Sequence, residues 1–212
     1  MDNFLNTSST IGAYLALSHF AGTLDKIVPS KIPVIAFYGD LSFIYIFDQV
    51  FGYKLLDNWN GEYGRENYIS FDEERPKFFE KAAKIFRSTC SSVVHDMIKV
   101  LSYSPNEIPL LNLTLGYNIT KNRKNQIVFR INTFNGIKRA SPTLLMSWLL
   151  KRHIKAIEQK LGEKPDEIAF YIFDEFDTPA KFRIQNGLKE SCDLAEIECS
   201  FVETLQMESI QM

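Results

Sequence analysis

Carboxylates follow two apolar segments of the chain, each typical of a buried strand. Asp174, Glu175 and Asp177 come directly after one such run, and Asp40 comes soon after another. Mg²⁺ prefers carboxylate oxygens, and two metal ions held in this way can assist a phosphoryl transfer. If both strands end at one sheet edge, these four side chains form a candidate Mg²⁺-dependent catalytic site. The alternative is that they are turn residues or helix caps, as the order Asp177-Thr178-Pro179 suggests.

The sequence lacks the motifs that would support this chemistry directly. It contains no G-x-x-x-x-G-K-[ST] phosphate loop, which disfavours ATP hydrolysis, and no nucleophile elbow or dinucleotide fingerprint. Cys90, Cys192 and Cys199 are odd in number, and their spacing does not match a zinc motif, so reduced structural thiols are expected. The sequence therefore predicts no firm catalytic residue, no firm metal ligand and no cofactor. Mg²⁺ is needed only under the phosphoryl-transfer hypothesis.

Three histidines lie in segments that are predicted to be helical. His95 and Asp96 are neighbours in sequence, so on a helix they would point about 100° apart and would not form a simple dyad. His153 lies among Lys151, Arg152 and Lys155, a setting that disfavours a charged imidazole and suits contact with an anion.

Basic side chains are concentrated in the middle of the chain. Residues 108–157 contain nine Lys or Arg and no Asp or Glu, whereas residues 158–212 contain thirteen acids and five bases. Like charges in so short a segment repel, so the arrangement favours a polyanion that supplies counter-charge, such as a nucleic acid backbone. One of the nine is Lys121. The other eight are predicted to contact nucleic acid: Arg123, Lys124, Arg130, Lys138, Arg139, Lys151, Arg152 and Lys155.

Other interpretations of the charge pattern remain open. The acidic last third could fold back on the basic middle and neutralise it, or the basic segment could bind an acidic protein surface. A third hypothesis is a structural subunit of a larger complex, held by aromatic side chains such as Trp59, Tyr63 and Tyr68. The preferred hypothesis is a non-enzymatic binding or assembly protein that contacts nucleic acid.

The clearest β signal lies inside the basic segment. Apolar and polar residues alternate over 111–120 and again over 126–132, which predicts a hairpin with one apolar and one polar face. The polar face carries Asn118, Arg130 and Asn132, whose side chains can donate to phosphates and base edges.

Spacing and cap residues predict the elements around this hairpin. Helices are expected from Ser9 or Thr10 to Pro29, over 41–51 in preference to a strand, from Asp72 to Ser104, and from Ser141 to Gly162. Strands are expected over 32–38, 54–56, 168–173 and 195–201.

This order predicts one α+β domain over residues 1–212, with a frayed arm at residues 1–8. A mixed or mostly antiparallel sheet should carry the long hairpin and helices packed on one side. No apolar run reaches the roughly 20 residues that a bilayer requires, and the first residues do not resemble a signal peptide, so a cytoplasmic protein without membrane contact is expected.

Overall fold

The computed structural model describes residues 19–111 and 117–202. The strands are β1 (Val34–Tyr38), β2 (Leu41–Asp48), β3 (Gly52–Leu55), β4 (Arg65–Glu66), β5 (Ile69–Ser70), β6 (Lys77–Phe78), β7 (Val93–Val94), β8 (Asn118–Lys121), β9 (Ile127–Thr133), β10 (Gly136–Ala140), β11 (Glu167–Ile172) and β12 (Glu198–Phe201). The helices are α1 (residues 19–27), α2 (Glu80–Phe86), α3 (Met97–Ser102), α4 (Ile108–Leu111), α5 (Pro142–Leu161) and α6 (Thr178–Ala195).

The largest sheet is mixed, with strand order β12-β11-β1-β2-β3 and β4 paired to β2. Strand β1 runs parallel to β11, and β11 runs parallel to β12. Strand β2 is antiparallel to both β1 and β3. Because β1 and β11 are parallel neighbours, the chain leaves both strands at the same edge of the sheet.

The core lies on both faces of this sheet. Ile35 and Phe37 of β1 pack into the larger core, which α5 and α6 cover. The alternate residues Val34 and Ala36 pack with α1 into a smaller core, where the ring of Phe20 lies 4.2 Å from that of Tyr171. The predicted α+β class is confirmed; α5 and α6 share one face, while α1 packs on the other.

Two smaller antiparallel sheets complete the fold, with orders β10-β9-β8 and β6-β5-β7. The predicted hairpin corresponds to β8 and β9, and Phe129 and Ile131 are buried as its apolar face. Leu111, predicted to start the hairpin, instead ends α4. Residues 112–116 of the predicted first strand lie outside the described residues.

The helix predicted over 41–51 is wrong, because this segment forms β2. Tyr38 pairs with Leu41, so Gly39 and Asp40 are a two-residue hairpin loop rather than a helix cap. Pairing with β1 on one side and β3 on the other satisfies the backbone, and both faces of β2 are buried. Tertiary pairing therefore overrides the cap and stop residues.

The long helix predicted from Asp72 to Ser104 is also wrong. The segment contains β6, α2, β7 and α3. Phe79 and Asp96 have positive φ angles of 57° and 54°, which no helix interior tolerates. The adjacent pair Val93–Val94 pairs with β5 instead.

Several local predictions are confirmed. Helix α5 begins after Ser141, whose hydroxyl accepts from the amide of Leu144 at 3.2 Å, and it ends at Gly162 with φ 85°. Strands β1, β3 and β11 lie within about two residues of their predicted positions. Strand β12 begins three residues later than predicted, because Ala195 still belongs to α6. The predicted start of the first helix and the frayed arm fall outside the described residues. Among those that are described, no helix combines the length and apolarity needed to cross a membrane.

Candidate functional site

The carboxyl ends of β1 and β11 meet at one sheet edge. The backbone amide of Gly39, directly after β1, donates to Oδ2 of Asp174, two residues after β11, at 2.8 Å. Ligands of open sheets that contain parallel strands commonly bind outside the carboxyl ends of those strands. This edge of the sheet is therefore where a ligand is most expected to bind.

A cleft of about 450 Å³ lies at this edge and is here called the strand-edge cleft. Five of the residues that line it are acidic: Asp96, Glu107, Asp174, Glu175 and Asp177. Lys99 and Arg183 also line it, and Arg183 Nη2 lies 3.9 Å from Glu107 Oε2. The cleft can therefore offer carboxylates to a cation and positive charge to an anion.

The four predicted carboxylates do not act alike. Asp174 and Glu175 line the cleft. Asp177 also lines it, but its Oδ1 accepts from the amide of Ala180 at 2.7 Å and so caps α6. Asp40 is absent from the cleft lining, since its carboxylate is engaged by the loop before α3.

Asp40 is held by groups distant in sequence. Its Oδ1 accepts from the amide of Asp96 at 2.5 Å, and its Oδ2 accepts from the hydroxyl of Tyr68 at 3.2 Å. Burial alone would raise the pKa of Asp40, but the nearby His95 imidazole and these hydrogen bonds outweigh burial and lower that pKa. Burial and the charge of Asp40 raise the pKa of Asp96.

Sequence reasoning placed His95 on a helix and excluded contact with Asp96, which is wrong. His95 precedes α3, and the left-handed backbone of Asp96 brings its Oδ2 to 3.7 Å from His95 Nδ1. The same nitrogen lies 3.4 Å from Asp40 Oδ2. No local pattern signals this contact, because it depends on a positive φ angle at a non-glycine residue.

His153 is fully buried and does not face an anion, so that prediction is also wrong. Its Nδ1 bonds the carbonyl of Leu149 at 2.8 Å, and its Nε2 lies 2.9 Å from the hydroxyl of Ser42. A carbonyl can only accept, so Nδ1 carries the proton and Nε2 accepts from Ser42. Burial lowers the pKa of His153 to about 4, so the imidazole is neutral.

The nine bases of the middle segment are all exposed. None of them forms an ion pair with any residue in the described ranges 19–111 and 117–202. The described part of the acidic last third therefore does not neutralise them by direct pairing.

The outward side of the β8-β9-β10 sheet is here called the basic sheet face. Its members are the exposed residues Asn118, Arg130, Asn132, Ile137 and Arg139. Asn118, Arg130 and Arg139 form one row across the three strands, with Arg130 directly opposite Arg139. Like charges in directly opposite positions repel, so this row carries positive charge that no ion pair with a described residue offsets.

The remaining bases surround this face or lie on α5. Lys121, Arg123 and Lys124 are at the β8–β9 turn, where Asn122 Oδ1 accepts from the amide of Lys124 at 2.9 Å. Lys138 is on the edge strand β10. Lys151, Arg152 and Lys155 form a separate group on the exposed side of α5, and the Arg152 guanidinium lies 4.2 Å from the centre of the Phe78 ring.

An exposed aromatic that the sequence analysis missed lies beside the basic sheet face. Phe134 is in the loop between β9 and β10 and is 58% exposed. The turn pair Asn135-Gly136, which follows Phe134 in the sequence, indicates an exposed loop at this position. Of the aromatics suggested for docking, Tyr63 is exposed, but Trp59 is buried and its indole donates to Ser42, so Trp59 cannot anchor a partner.

Neither the protein-family models nor the curated proteins contain a match to this chain.

Proposed function

We propose that this protein binds nucleic acid through the basic sheet face. The observation that carries the proposal is the row Asn118-Arg130-Arg139, in which two arginines face each other across the strands with no ion pair to a described residue. Cross-strand like charges cost stability. A phosphate backbone would offset that cost, since each neutralised phosphate also releases bound counterions.

The chemistry around the row fits the same ligand. The side chains of Asn118 and Asn132 both donate and accept hydrogen bonds, as contacts to sugars and base edges require. Phe134 offers an exposed ring on which an unpaired base can stack, which favours a single strand over a duplex. The three bases of the β8–β9 turn supply further charge beside this sheet.

Charge neutralisation tests the proposal. The variant Arg123→Gln, Lys124→Gln, Arg130→Gln, Arg139→Gln removes both arginines of the row and two bases of the adjacent turn. It should lose most of its affinity for a fluorescein-labelled single-stranded oligonucleotide, measured by anisotropy. A plot of log K against log salt concentration should have a slope smaller in magnitude by about 3 than that of the wild type. Each phosphate contact on a single strand contributes roughly 0.7 to this slope, and the variant removes four bases.

The matched control removes four exposed bases elsewhere, Lys26, Lys81, Lys84 and Lys160, by the same change to Gln. It carries the same net charge but should retain the wild-type salt dependence. Equal losses in both variants would show that only net charge matters, and no loss in the first variant would end the proposal.

A second candidate function is Mg²⁺-dependent phosphoryl transfer in the strand-edge cleft. The bond from Gly39 to Asp174 favours it, because it places the loop of Asp40 beside the carboxylates of the cleft. Asp174 and Glu175 would hold the ion, while Lys99 and Arg183 would attract the phosphate. Under this proposal the nucleic acid is a substrate rather than only a ligand.

Two variants distinguish this activity from structural roles. Asp174→Asn with Glu175→Gln should abolish Mg²⁺-dependent cleavage of a labelled oligonucleotide. Asp177→Asn should leave cleavage intact, because Asn caps a helix as well as Asp does. No cleavage by the wild-type protein with Mg²⁺, or full activity in the double variant, would exclude the enzymatic proposal and leave nucleic acid binding unaffected.

A further inference from the structure

Three side chains of types that bind metal ions meet beside the strand-edge cleft: Asp40, His95 and Asp96, here called the Asp-His-Asp cluster. One ligand atom from each lies within 4.8 Å of the other two. His95 Nδ1 is 3.4 Å from Asp40 Oδ2 and 3.7 Å from Asp96 Oδ2. Ligands placed tetrahedrally about 2.1 Å from an ion are roughly 3.4 Å apart, so these separations suit a shared metal.

The imidazole of His95 gives independent evidence for a ligand. Only 9% of this side chain is exposed, and neither ring nitrogen has a hydrogen-bond partner among the described residues. The rings of Tyr68, Phe86 and Tyr117 surround it, with centroids 5.1, 4.7 and 5.3 Å away. Buried polar atoms are rarely left unpaired, and a metal ion on Nδ1 would satisfy one of them.

The separation between His95 and Asp40 is also longer than a direct hydrogen bond between imidazole and carboxylate. A charge-assisted hydrogen bond between imidazolium and carboxylate is about 2.7–2.9 Å long. At 3.4 Å, Nδ1 and Oδ2 face each other without forming that bond. An ion coordinated by both Nδ1 and Oδ2 would account for this separation.

The neighbouring groups hold both carboxylates in place. Asp40 accepts from the Asp96 amide and from the Tyr68 hydroxyl, contacts of the kind that orient metal ligands. The hydroxyl of Tyr117 donates to the carbonyl of His95 at 2.5 Å and fixes its backbone. Two carboxylates this close repel each other when both are ionised, and a cation would relieve that repulsion.

We infer that Asp40, His95 and Asp96 form a binding site for one divalent transition-metal ion, such as Zn²⁺, Mn²⁺ or Co²⁺. One imidazole with two carboxylates suits these ions. Mg²⁺ instead prefers an octahedron of oxygens, with most positions held by water. The site goes beyond nucleic acid binding, which does not require it, and its ligands differ from the Asp174–Glu175 pair of the enzymatic proposal.

Co²⁺ is the probe of choice, because its visible absorption reports on the ligands. We expect metal-free protein to bind one Co²⁺ per chain with a visible absorption band, and about a hundredfold excess of Mg²⁺ not to displace it. Asp96→Asn should weaken Co²⁺ binding at least tenfold. Asn tolerates the left-handed backbone at this position, so the variant should fold.

The matched control is Asp193→Asn. Asp193 belongs to a group of acids around a second cavity that has no histidine, with Asp166, Glu196 and Glu198. This variant should bind Co²⁺ as the wild type does. Absence of saturable binding to the wild type, unchanged affinity in Asp96→Asn, or displacement by Mg²⁺ would overturn the inference. Nucleic acid binding is measured in the absence of metal ions, so a failure of the metal site leaves the nucleic acid proposal intact, and the reverse also holds.

Discussion

Arg130 and Arg139 lie directly opposite each other on adjacent antiparallel strands, and neither has an ion-pair partner among the described residues. Such a pair costs stability in the free protein. Arg130→Gln with Arg139→Gln should therefore keep or slightly raise the free energy of unfolding in urea at low salt, by about 0.2–1 kcal/mol. The gain should shrink at high salt, where the repulsion is screened.

The control for this prediction is Lys26→Gln with Lys160→Gln, which removes two bases that are far apart in sequence. It should show no salt-dependent gain. A double arginine variant that is clearly less stable than the wild type would show that Arg130 and Arg139 stabilise the fold. That result would contradict the claim that they repel each other in the free protein.

Phe134→Ala should weaken binding to a single strand by about 1–3 kcal/mol, the usual contribution of a stacked base, and should weaken duplex binding less. The salt dependence should stay unchanged, because no charge is removed. The comparison is Phe182→Ala, which removes an equally exposed ring from α6. Equal effects of the two variants on anisotropy titrations would exclude Phe134 as a stacking platform.

His153 should make the protein less stable in mild acid. Its pKa in the folded state is about 4, below the usual value of 6.5 in an unfolded chain. The unfolded state then binds the extra proton first, so stability is full above about pH 6.5 and falls as the pH drops towards 4, by roughly 3 kcal/mol in total.

Urea unfolding at several pH values measures this dependence. His153→Gln should flatten the slope between about pH 4 and 6.5, at some cost in overall stability because the contact with Ser42 changes. The control Gln159→Ala, which removes an exposed side chain without a titratable group, should retain the wild-type slope. An unchanged slope in His153→Gln would contradict the assignment of a neutral, buried imidazole.

Gly64→Ala should destabilise the protein much more than Gly61→Ala. Both glycines have positive φ, 62° and 51°, so alanine is strained at either position by about 1–2 kcal/mol. Only at Gly64 would the new Cβ lie 2.7 Å from the carbonyl oxygen of Ser42, which adds roughly 1–3 kcal/mol. Equal melting temperatures of the two variants would show that the loop moves freely away from β2.

Local signals in the sequence predicted the elements that carry their own caps. Ser141, Pro142 and Gly162 bound α5 within a few residues, and the alternation after Gln126 marked β9. These predictions succeed because the deciding interactions are between near neighbours. The sequence left open whether the acidic last third covers the middle bases, because that depends on contacts between residues far apart in the chain.

Elements decided by distant partners could not be predicted in this way. Leu41–Asp48 is a strand because β1 and β3 flank it, which its own residues do not reveal. The apolar residues after Asp72 fit a helical period but are divided among short elements by positive φ angles at Phe79 and Asp96. The Asp-His-Asp cluster depends on the same backbone reversal, so it was missed even though Asp40 had been considered as a metal ligand.

The most direct test of the central claim is an NMR titration of isotope-labelled protein with a short single-stranded oligonucleotide. We predict that the largest shifts occur at Asn118, Arg130, Asn132 and Arg139, including the Nε–Hε signals of the two arginines, and at Phe134. Shifts confined to α5, or to the strand-edge cleft with none on the β8-β9-β10 sheet, would contradict the claim that the basic sheet face is the nucleic acid interface.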